Sequence, residues 1–259
     1  MNVLAIGAHP DDLELQCFGT LALYASQGHR VFAAVATNGD KGNFDVEPAE
    51  LARIREAEFR AACAVIDATP IWLGFEDEYL YPDLQTRLAF VDAIRQANPD
   101  VVITHGPADY HPDHRYTAQL VWDALPLAAV SNVKTALPAM DRQVTLYYMD
   151  HTGGVGFQPA EFVDITDTIA RKKEALSKHE SQVRLFRQLL DVDLFDVVET
   201  IGKFRGYQAG CLYAEGFVKV EAWYRGLADR VLPVSGNASR FIYRKEATMN
   251  TGKAESDDK

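Results

Sequence analysis

The sequence has few of the features that mark secreted and membrane proteins. Its three cysteines, Cys17, Cys63 and Cys211, are odd in number and widely spaced, which excludes a disulfide framework and a CxxC metal site. No apolar run approaches the ~20 residues that a membrane span needs. The N-terminus lacks the basic and long apolar regions of a signal peptide. We therefore expect a cytoplasmic protein without membrane insertion.

Positive charge is scarce as well. Lys and Arg number 26 against 37 Asp and Glu, which gives a formal net charge of −11. Nucleic acids and anionic membranes reward clustered cations, so this balance argues against both as main partners. A neutral or cationic small molecule is compatible with it. The chain has 259 residues and 47% hydrophobic content, enough for one large α/β domain with a full-sized core.

The predicted elements alternate between strands and helices. Short apolar runs predict buried strands at 3–6, 31–36, 71–73, 101–104 and 145–149. Helical spacing predicts helices at 12–27, 49–66, 85–96 and 112–125, and an extended piece followed by one long charged helix within 161–190. This order indicates an α/β fold in which helices flank a mostly parallel sheet. In such folds the functional residues lie at the carboxyl ends of the strands.

We expect a single domain over residues 1–248. Its last part, from about 191 to 248, is harder to interpret, and we expect a C-terminal elaboration there, either an added subdomain or an oligomer contact. The polar segment 249–259 is expected to be a flexible tail.

Two segments that contain His-Pro-Asp carry the chemistry. Ala8-His9-Pro10-Asp11-Asp12 follows the first predicted strand, and His111-Pro112-Asp113-His114 follows the fourth. Proline favours an extended backbone at the preceding His and a helix that starts at the proline. The first His of each motif then shares one helical face with the residue three positions later. A lone Asp at a helix start usually caps the helix, but two such motifs at neighbouring strand ends indicate a metal or catalytic site.

The motifs contain the ligands of a catalytic zinc ion. His9, Asp12 and His114 can supply its three protein ligands and leave one position for water. Asp11 diverges from its neighbour and is the predicted general base, which takes a proton from the water that the metal activates. The same His-His-Asp set would also accept Fe(II), Co(II) or Ni(II).

The remaining two residues of the second motif are predicted to assist catalysis. His111 would lie near the metal without binding it, and as an imidazolium it would stabilise the oxyanion or protonate the leaving amine. Asp113 would hold the orientation of His111.

At these residues the chain resembles the LmbE-like (PIG-L) de-N-acetylases, which are zinc-dependent enzymes that remove acetyl groups from substrates containing N-acetylglucosamine. Glu14 and further segments up to about residue 225 carry the resemblance too, namely 37–42, 53–58, 104–114, 172–182 and 214–217. The resemblance implies the ligands, the base and the electrostatic His named above. It also implies one zinc ion per subunit, a Rossmann-like fold and a homo-oligomer, from dimer to hexamer.

The chain departs from this family just after Glu14. A glycine-rich stretch is common there, whereas this chain has Gln16 and Phe18. We expect these bulkier side chains to reshape the floor beside the metal.

Four further residues are candidates for substrate contacts. Asn38 and Asp40 follow the second strand, although turn chemistry would explain them equally well. Arg55 lies on the second helix, where the family resemblance favours an arginine that contacts the substrate and the alternative is a surface ion pair. His179 lies on the predicted long helix, where the alternative is a solvated face.

The sequence thus predicts a metal-dependent amide hydrolase that removes an N-acetyl group from an N-acetylglucosamine-type sugar or conjugate. An amidase that acts on a thiol conjugate or a natural-product intermediate would use the same catalytic residues, so the motifs do not separate the two. Asp11 argues against a non-catalytic binding protein, because binding alone needs no base. The first strand-helix turn lacks the G-x-G-x-x-G pattern, which argues against a dinucleotide-binding oxidoreductase.

Overall fold

A seven-stranded sheet forms the centre of the computed structural model, which describes residues 1–222 and 231–236. The strands are β1 Asn2–Gly7, β2 Arg30–Thr37, β3 Thr69–Phe75, β4 Val101–Thr104, β5 Thr145–Met149, β6 Glu161–Asp164 and β7 Ala214–Lys219. Their order across the sheet is β3-β2-β1-β4-β5-β7-β6. The first five strands pair in parallel, and β7 runs antiparallel to β5 and β6. The predicted α/β fold with a mostly parallel sheet is confirmed.

Eight helices surround the sheet in the described residues. They are α1 Asp12–Gln16, α2 Phe18–Ser26, α3 Pro48–Ala64, α4 Leu84–Ala97, α5 Pro112–Ala128, α6 Ile169–Leu176, α7 Glu180–Leu190 and α8 Leu194–Ala209. Two of them begin at sequence features that stabilise a helix start: α4 has a capping box at Asp83, and α5 begins with Pro112 after its N-cap His111. None of these helices is long and apolar enough to cross a membrane.

Side chains along each central strand alternate between two cores. In β1, Val3 and Ala5 pack into the core that contains side chains of α2, α3 and α6. Leu4 and Ile6 pack into the core on the other face, with side chains of α4 and α5. All four are fully buried, as expected for a parallel sheet covered on both faces. Burial of each of the three larger side chains, Val3, Leu4 and Ile6, contributes about 1.5–3 kcal/mol relative to an exposed side chain.

The helix predicted at 12–27 is interrupted at Cys17, which separates α1 from α2. A tertiary contact satisfies the new helix start: the Glu215 carboxylate on β7 accepts the N–H groups of Gly19 (3.0 Å) and Thr20 (2.7 Å). Phe18 packs in the core, and the Gln16 side chain donates to Thr152 Oγ1 at 3.0 Å. Both side chains therefore have contacts in the interior. Their expected effect on the shape of the site beside the metal stays a prediction.

The single long helix predicted within 161–190 was wrong. The chain forms α6, a break at 177–179 and then α7. At the break His179 turns inward, where its Nε2 lies 3.1 Å from Glu14 Oε2 and both side chains are fully buried. A continuous helix could not bring this imidazole to Glu14.

The described part of 191–248 contains α8 and β7. Because β7 lies between β5 and β6, this segment completes the central sheet. The predicted tail, residues 249–259, lies outside the described residues.

Candidate metal centre

Both His-Pro-Asp motifs lie at the carboxyl edge of the sheet. His9 comes two residues after β1, and the second motif follows β4. The two strands are neighbours that pair through Ile6 and Thr104 at this edge. The loops after β2 and β3 reach the same edge, so four adjacent strand ends contribute to one site.

The three predicted metal ligands lie together. His9 Nδ1 is 3.4 Å from Asp12 Oδ2 and 3.2 Å from His114 Nε2, and that Nε2 is 3.2 Å from Asp12 Oδ1. Two ligand atoms bound tetrahedrally to zinc at about 2.0–2.1 Å are roughly 3.3 Å apart. Each distance is of the size expected between two zinc ligands, but His9 and His114 approach different oxygens of Asp12, and zinc binding stays a prediction.

Asp12 is held in one orientation by the turn around it. Its Oδ2 accepts the N–H groups of Ala8 (2.9 Å) and His9 (2.7 Å), and Oδ1 faces His114. Burial raises the pKa of Asp12, but the imidazoles of His114, His105 and His9 outweigh it and hold the pKa well below the ordinary value. An ionised carboxylate whose two oxygens both face imidazoles is suited to a metal ligand.

Carboxylates also orient the two ligand imidazoles. Asp109 Oδ2 lies 3.1 Å from His114 Nδ1, and Asp77 Oδ1 lies 3.1 Å from His9 Nε2. Each ring therefore turns its other nitrogen toward the ligand group, an arrangement that is usual around protein-bound metals. Neither carboxylate was predicted. Their positions just after the ends of β4 and β3 were the available signal.

Asp113 contacts a different His from the one expected. Its Oδ2 accepts the Glu78 N–H at 2.9 Å and lies 3.5 Å from His9 Nε2. Its link to His111 runs through the backbone, because the Asp113 N–H donates to His111 Nδ1 at 3.2 Å. His111 is the N-cap of α5, and a capping side chain turns back onto the first N–H groups of its helix.

His111 was expected to act as an imidazolium, and that role stays a prediction. Burial, together with the nearby imidazoles of His9 and His114, lowers the pKa of His111. Its Nδ1 accepts a hydrogen bond, so the proton of the neutral ring lies on Nε2, which is 3.3 Å from Glu78 Oε1. His111 thus presents a neutral N–H donor.

Asp11 occupies a buried position at the N-terminus of α1. Its backbone has a φ of 134°, which is strained for a residue with a side chain, and its Oδ1 lies 3.4 Å from Arg55 Nη2. Burial raises the pKa of Asp11 to about 6, while Arg55 opposes the shift. A carboxylate with a pKa just below neutral is suited to general-base catalysis.

Arg55 lies beneath this turn. It is buried, donates to the carbonyls of Pro10 (2.6 Å) and Gly39 (3.1 Å), and lies 3.4 Å from Asp11 Oδ1. Gly39 permits this approach, since its φ is 65° and a Cβ there would lie 2.4 Å from Arg55 Nη1. The contacts of Arg55 are therefore with the chain around the base, and its predicted contact with substrate stays untested.

The side chains of Asn38 and Asp40 hold the loop after β2. Asn38 Oδ1 accepts the Asp40 N–H at 3.1 Å, which is turn chemistry. Asp40 accepts the Asp77 N–H at 3.2 Å and pairs with Lys41 at 2.8 Å. Asp40 thereby ties this loop to the one after β3. Their predicted contacts with substrate stay predictions.

His179 lies behind the site. It has no exposed surface, and its charge lowers the pKa of Asp11. The structure pairs it with Glu14 in the interior, and its predicted contact with substrate stays a prediction.

His105 is a further residue that sequence reasoning missed. Its ring stacks on that of His114, with centroids 3.9 Å apart, and its Nε2 accepts the Ala8 N–H at 3.0 Å. Burial, with a smaller effect of His114, lowers the pKa of His105 to about 4, so the ring is neutral and keeps His114 in place. Its position directly after β4 was the only signal.

Known proteins resemble this chain in sequence and in fold. A sequence profile of PIG-L, described as GlcNAc-PI de-N-acetylase, matches residues 4–125. The diacetylchitobiose deacetylase of Thermococcus kodakarensis is 30% identical over 230 residues, which cover 83% of this chain and 81% of that protein. The structure of N,N′-diacetylchitobiose deacetylase from Pyrococcus horikoshii is 26% identical, with a TM-score of 0.73 over 84% of this chain and 83% of that one.

One similar structure has a different activity. The 4-carboxy-2-hydroxymuconate hydratase of Pseudomonas putida has a TM-score of 0.73 at 21% identity, over 89% of this chain and all (100%) of that chain. This likeness concerns the fold alone.

The similarity to the Thermococcus protein extends over most of both sequences, and the residues that the profile matches include both His-Pro-Asp motifs. The chain therefore belongs to the PIG-L family, and it is a deacetylase, an amide hydrolase, of that family.

Proposed function

We propose that this chain is a zinc-dependent deacetylase that removes the N-acetyl group from an N-acetylglucosamine-type sugar or its conjugate. The observation that carries the proposal is the mutual spacing of 3.2–3.4 Å among His9, Asp12 and His114, with the separate carboxylate of Asp11 beside them. The similarity to two diacetylchitobiose deacetylases supports the substrate class.

His9, Asp12 and His114 would hold the zinc ion. When bound, the ion would supply Lewis-acid activation of the attacking water and the scissile carbonyl. The carboxylates of Asp77 and Asp109 keep the imidazoles of His9 and His114 turned toward it.

Asp11 would move the proton. Its ionised carboxylate takes a proton from the attacking water as the water oxygen bonds to the acetyl carbon. The same proton then passes to the amide nitrogen as the C–N bond breaks, which yields acetate and a free amine. Arg55 keeps the base ionised near neutral pH, because its charge opposes the effect of burial on the pKa of Asp11.

His111 would stabilise the transition state as a hydrogen-bond donor. Its Nε2–H lies at the open side of the site, beside the half-exposed Glu78. A neutral donor aimed at the developing oxyanion lowers the barrier without a proton transfer. This role is an alternative to the imidazolium that the sequence suggested.

Two other substrate classes remain to be separated by experiment. An amidase for a thiol conjugate would use the same catalytic residues. A hydratase for an unsaturated carboxylate, the activity of the Pseudomonas relative, would need cations for its anionic substrate. Here Lys41 is paired with Asp40 and Glu76, and Arg55 lies beside Asp11. The acidic surroundings of the site favour the neutral sugar.

The test is acetate release from a panel of N-acetylated amino sugars, with a thiol-conjugate amide and an unsaturated dicarboxylate alongside. We expect acetate from the sugars, and a loss of about 10²–10⁴-fold in kcat for Asp11→Asn with zinc content unchanged. Asp123→Asn, a half-buried carboxylate on α5, is the matched control. Turnover of the dicarboxylate alone, or normal activity in Asp11→Asn, would overturn the proposal.

A further inference from the structure

Two exposed tyrosines flank a buried leucine in the loop after β3. Tyr79 is 69% exposed and Tyr81 is 64% exposed, whereas Leu80 between them is 3% exposed and packs in the core with α4 and α5. In an extended segment, alternate side chains lie on the same side, about 6.6 Å apart along the chain. Leu80 thus anchors the segment, and both aromatic rings face outward. We call Tyr79 and Tyr81 the tyrosine platform.

The platform begins next to the candidate metal centre. Glu78, which directly precedes Tyr79, donates its N–H to Asp113 Oδ2 at 2.9 Å and places Oε1 3.3 Å from His111 Nε2. Consecutive Cα atoms are about 3.8 Å apart, so one peptide unit separates Tyr79 from a residue in contact with His111. Glu78 itself has a φ of 65°, a costly conformation for a residue with a side chain. The turn that carries the platform is therefore tied to the site.

Other aromatic and polar groups surround the two rings. Tyr81 makes an edge contact with Tyr116 of α5, with ring centroids 5.9 Å apart. Lys41 Nζ lies 5.7 Å from the Tyr79 ring centroid and pairs with Glu76 Oε1 at 2.8 Å. A pyranose ring has an apolar C–H face and a polar edge of hydroxyls. Aromatic rings beside charged groups match both features of such a ligand.

We propose that the tyrosine platform binds the second sugar ring of a disaccharide whose first ring carries the acetamido group at the metal centre. The proposal rests on the proposed deacetylase function for the position of the first ring. Tyr79 and Tyr81 form, with Tyr116, an aromatic patch beside the proposed reaction site, and such patches mark ligand-binding surfaces. A disaccharide places its second ring next to the first, which is where Tyr79 follows Glu78.

The test compares N-acetylglucosamine with its dimer, N,N′-diacetylchitobiose. Binding is measured by calorimetry on the zinc-loaded Asp11→Asn protein, and kcat/KM is measured on the active enzyme. We expect Tyr79→Ala and Tyr81→Ala each to weaken the preference for the dimer by about two- to tenfold, with the monomer unaffected. Tyr81→Phe should keep the preference, because the aromatic face remains. Tyr207→Ala, which changes a 75% exposed tyrosine on α8, is the matched control.

Three results would overturn the proposal that the tyrosine platform binds a sugar ring. The first is an unchanged ratio of dimer to monomer affinity in both alanine variants. The second is an equal loss for an apolar glycoside such as the octyl glycoside of N-acetylglucosamine, which would indicate an apolar occupant. The third is a change in oligomeric state by light scattering, which would place the tyrosines between copies of this chain. Absence of acetate release from both sugars would refute the deacetylase function. The calorimetry would still show whether the tyrosine platform binds the second sugar ring.

Discussion

Arg55 Nη2 lies 3.4 Å from Asp11 Oδ1, and the same nitrogen donates to the Pro10 carbonyl at 2.6 Å. Both side chains are buried. A cation at this distance favours the ionised carboxylate, and its donors hold the strained turn in which Asp11 has a φ of 134°. Arg55 is thus a positioning residue for the proposed base.

Replacement of Arg55 should therefore impair the base without removing it. In Arg55→Met the pKa of Asp11 should rise, because burial is no longer opposed by a cation. The acid limb of the kcat/KM profile should move to higher pH, and kcat at pH 7 should fall by about 10–100-fold. Rate profiles from pH 5 to 9 measure both effects.

Arg53 provides the control for this experiment. It lies on the same helix, is exposed and pairs with Glu50. Arg53→Met should leave the profile unchanged. An unshifted acid limb in Arg55→Met would show that Arg55 does not act on the base.

The carboxylate behind His114 should control metal affinity. Asp109 Oδ2 lies 3.1 Å from His114 Nδ1, so Asp109→Asn weakens the contact that keeps Nε2 turned toward the other ligands. We expect zinc affinity to fall by about 10–100-fold. Competition with a chromophoric chelator measures the dissociation constant, and Asp123→Asn serves as the control. Equal affinities of Asp109→Asn and wild type would contradict the assignment.

Removal of the metal provides a simpler check on the same centre. A chelator should abolish acetate release, and added zinc should restore it. The melting temperature should also fall on chelation, since an ion that binds only the folded state stabilises it. Full activity after exhaustive chelation, verified by metal analysis, would refute a metal-dependent mechanism.

The buried pair Glu14–His179 should contribute to stability in a pH-dependent way. Burial lowers the pKa of His179, but Glu14 outweighs it, so the folded pKa lies above the ordinary 6.5. A group with a raised folded pKa contributes stability that is fully present below its unfolded pKa and is lost as pH rises through the folded value. Glu14→Gln should therefore lower the free energy of unfolding by about 3 kcal/mol at pH 6, and by less at pH 9.

Urea unfolding at the two pH values measures this difference. Glu180→Gln, at the exposed start of α7, is the control and should have little effect at either pH. A penalty for Glu14→Gln that is the same at pH 6 and pH 9 would show that His179 is not charged in the folded protein.

Glu78 should be replaceable by glycine with a gain in stability. Its φ of 65° is unfavourable for a residue with a Cβ, and glycine adopts it readily. We expect Glu78→Gly to raise the free energy of unfolding by about 0.5–1 kcal/mol, whereas Glu76→Gly, at an exposed position without this strain, should lower it. Thermal or urea unfolding measures the free energy of unfolding of both variants. A loss of stability in Glu78→Gly would refute strain at this residue.

Local patterns predicted the parallel half of the sheet. The apolar runs at 3–6, 31–36 and 101–104 became the central strands, because continuous apolar runs need burial on both faces. The same patterns failed where a long-range contact decides the backbone. Glu215, about two hundred positions away, satisfies the start of α2, and Glu14 draws His179 out of the predicted helix.

The two halves of the candidate site were also readable as local motifs, because Pro10 and Pro112 place a His at each strand end. The residues that support these ligands could not be predicted from local motifs. Asp77, Asp109 and His105 are single polar residues in loops, and nothing in their neighbours distinguishes them from residues of an ordinary turn. Only the parallel pairing of β3, β2, β1 and β4 brings them to the two ligand imidazoles.

By itself, the sequence determined the α/β class and the identity of the residues at the two strand ends, since periodicity and proline geometry act over a few residues. The tertiary structure decided which atoms face one another. It turned Asp113 from His111 to His9, lowered the pKa of His111 through burial, and placed His179 against Glu14. These outcomes depend on burial and on distances between residues far apart in the chain, which local sequence patterns do not encode.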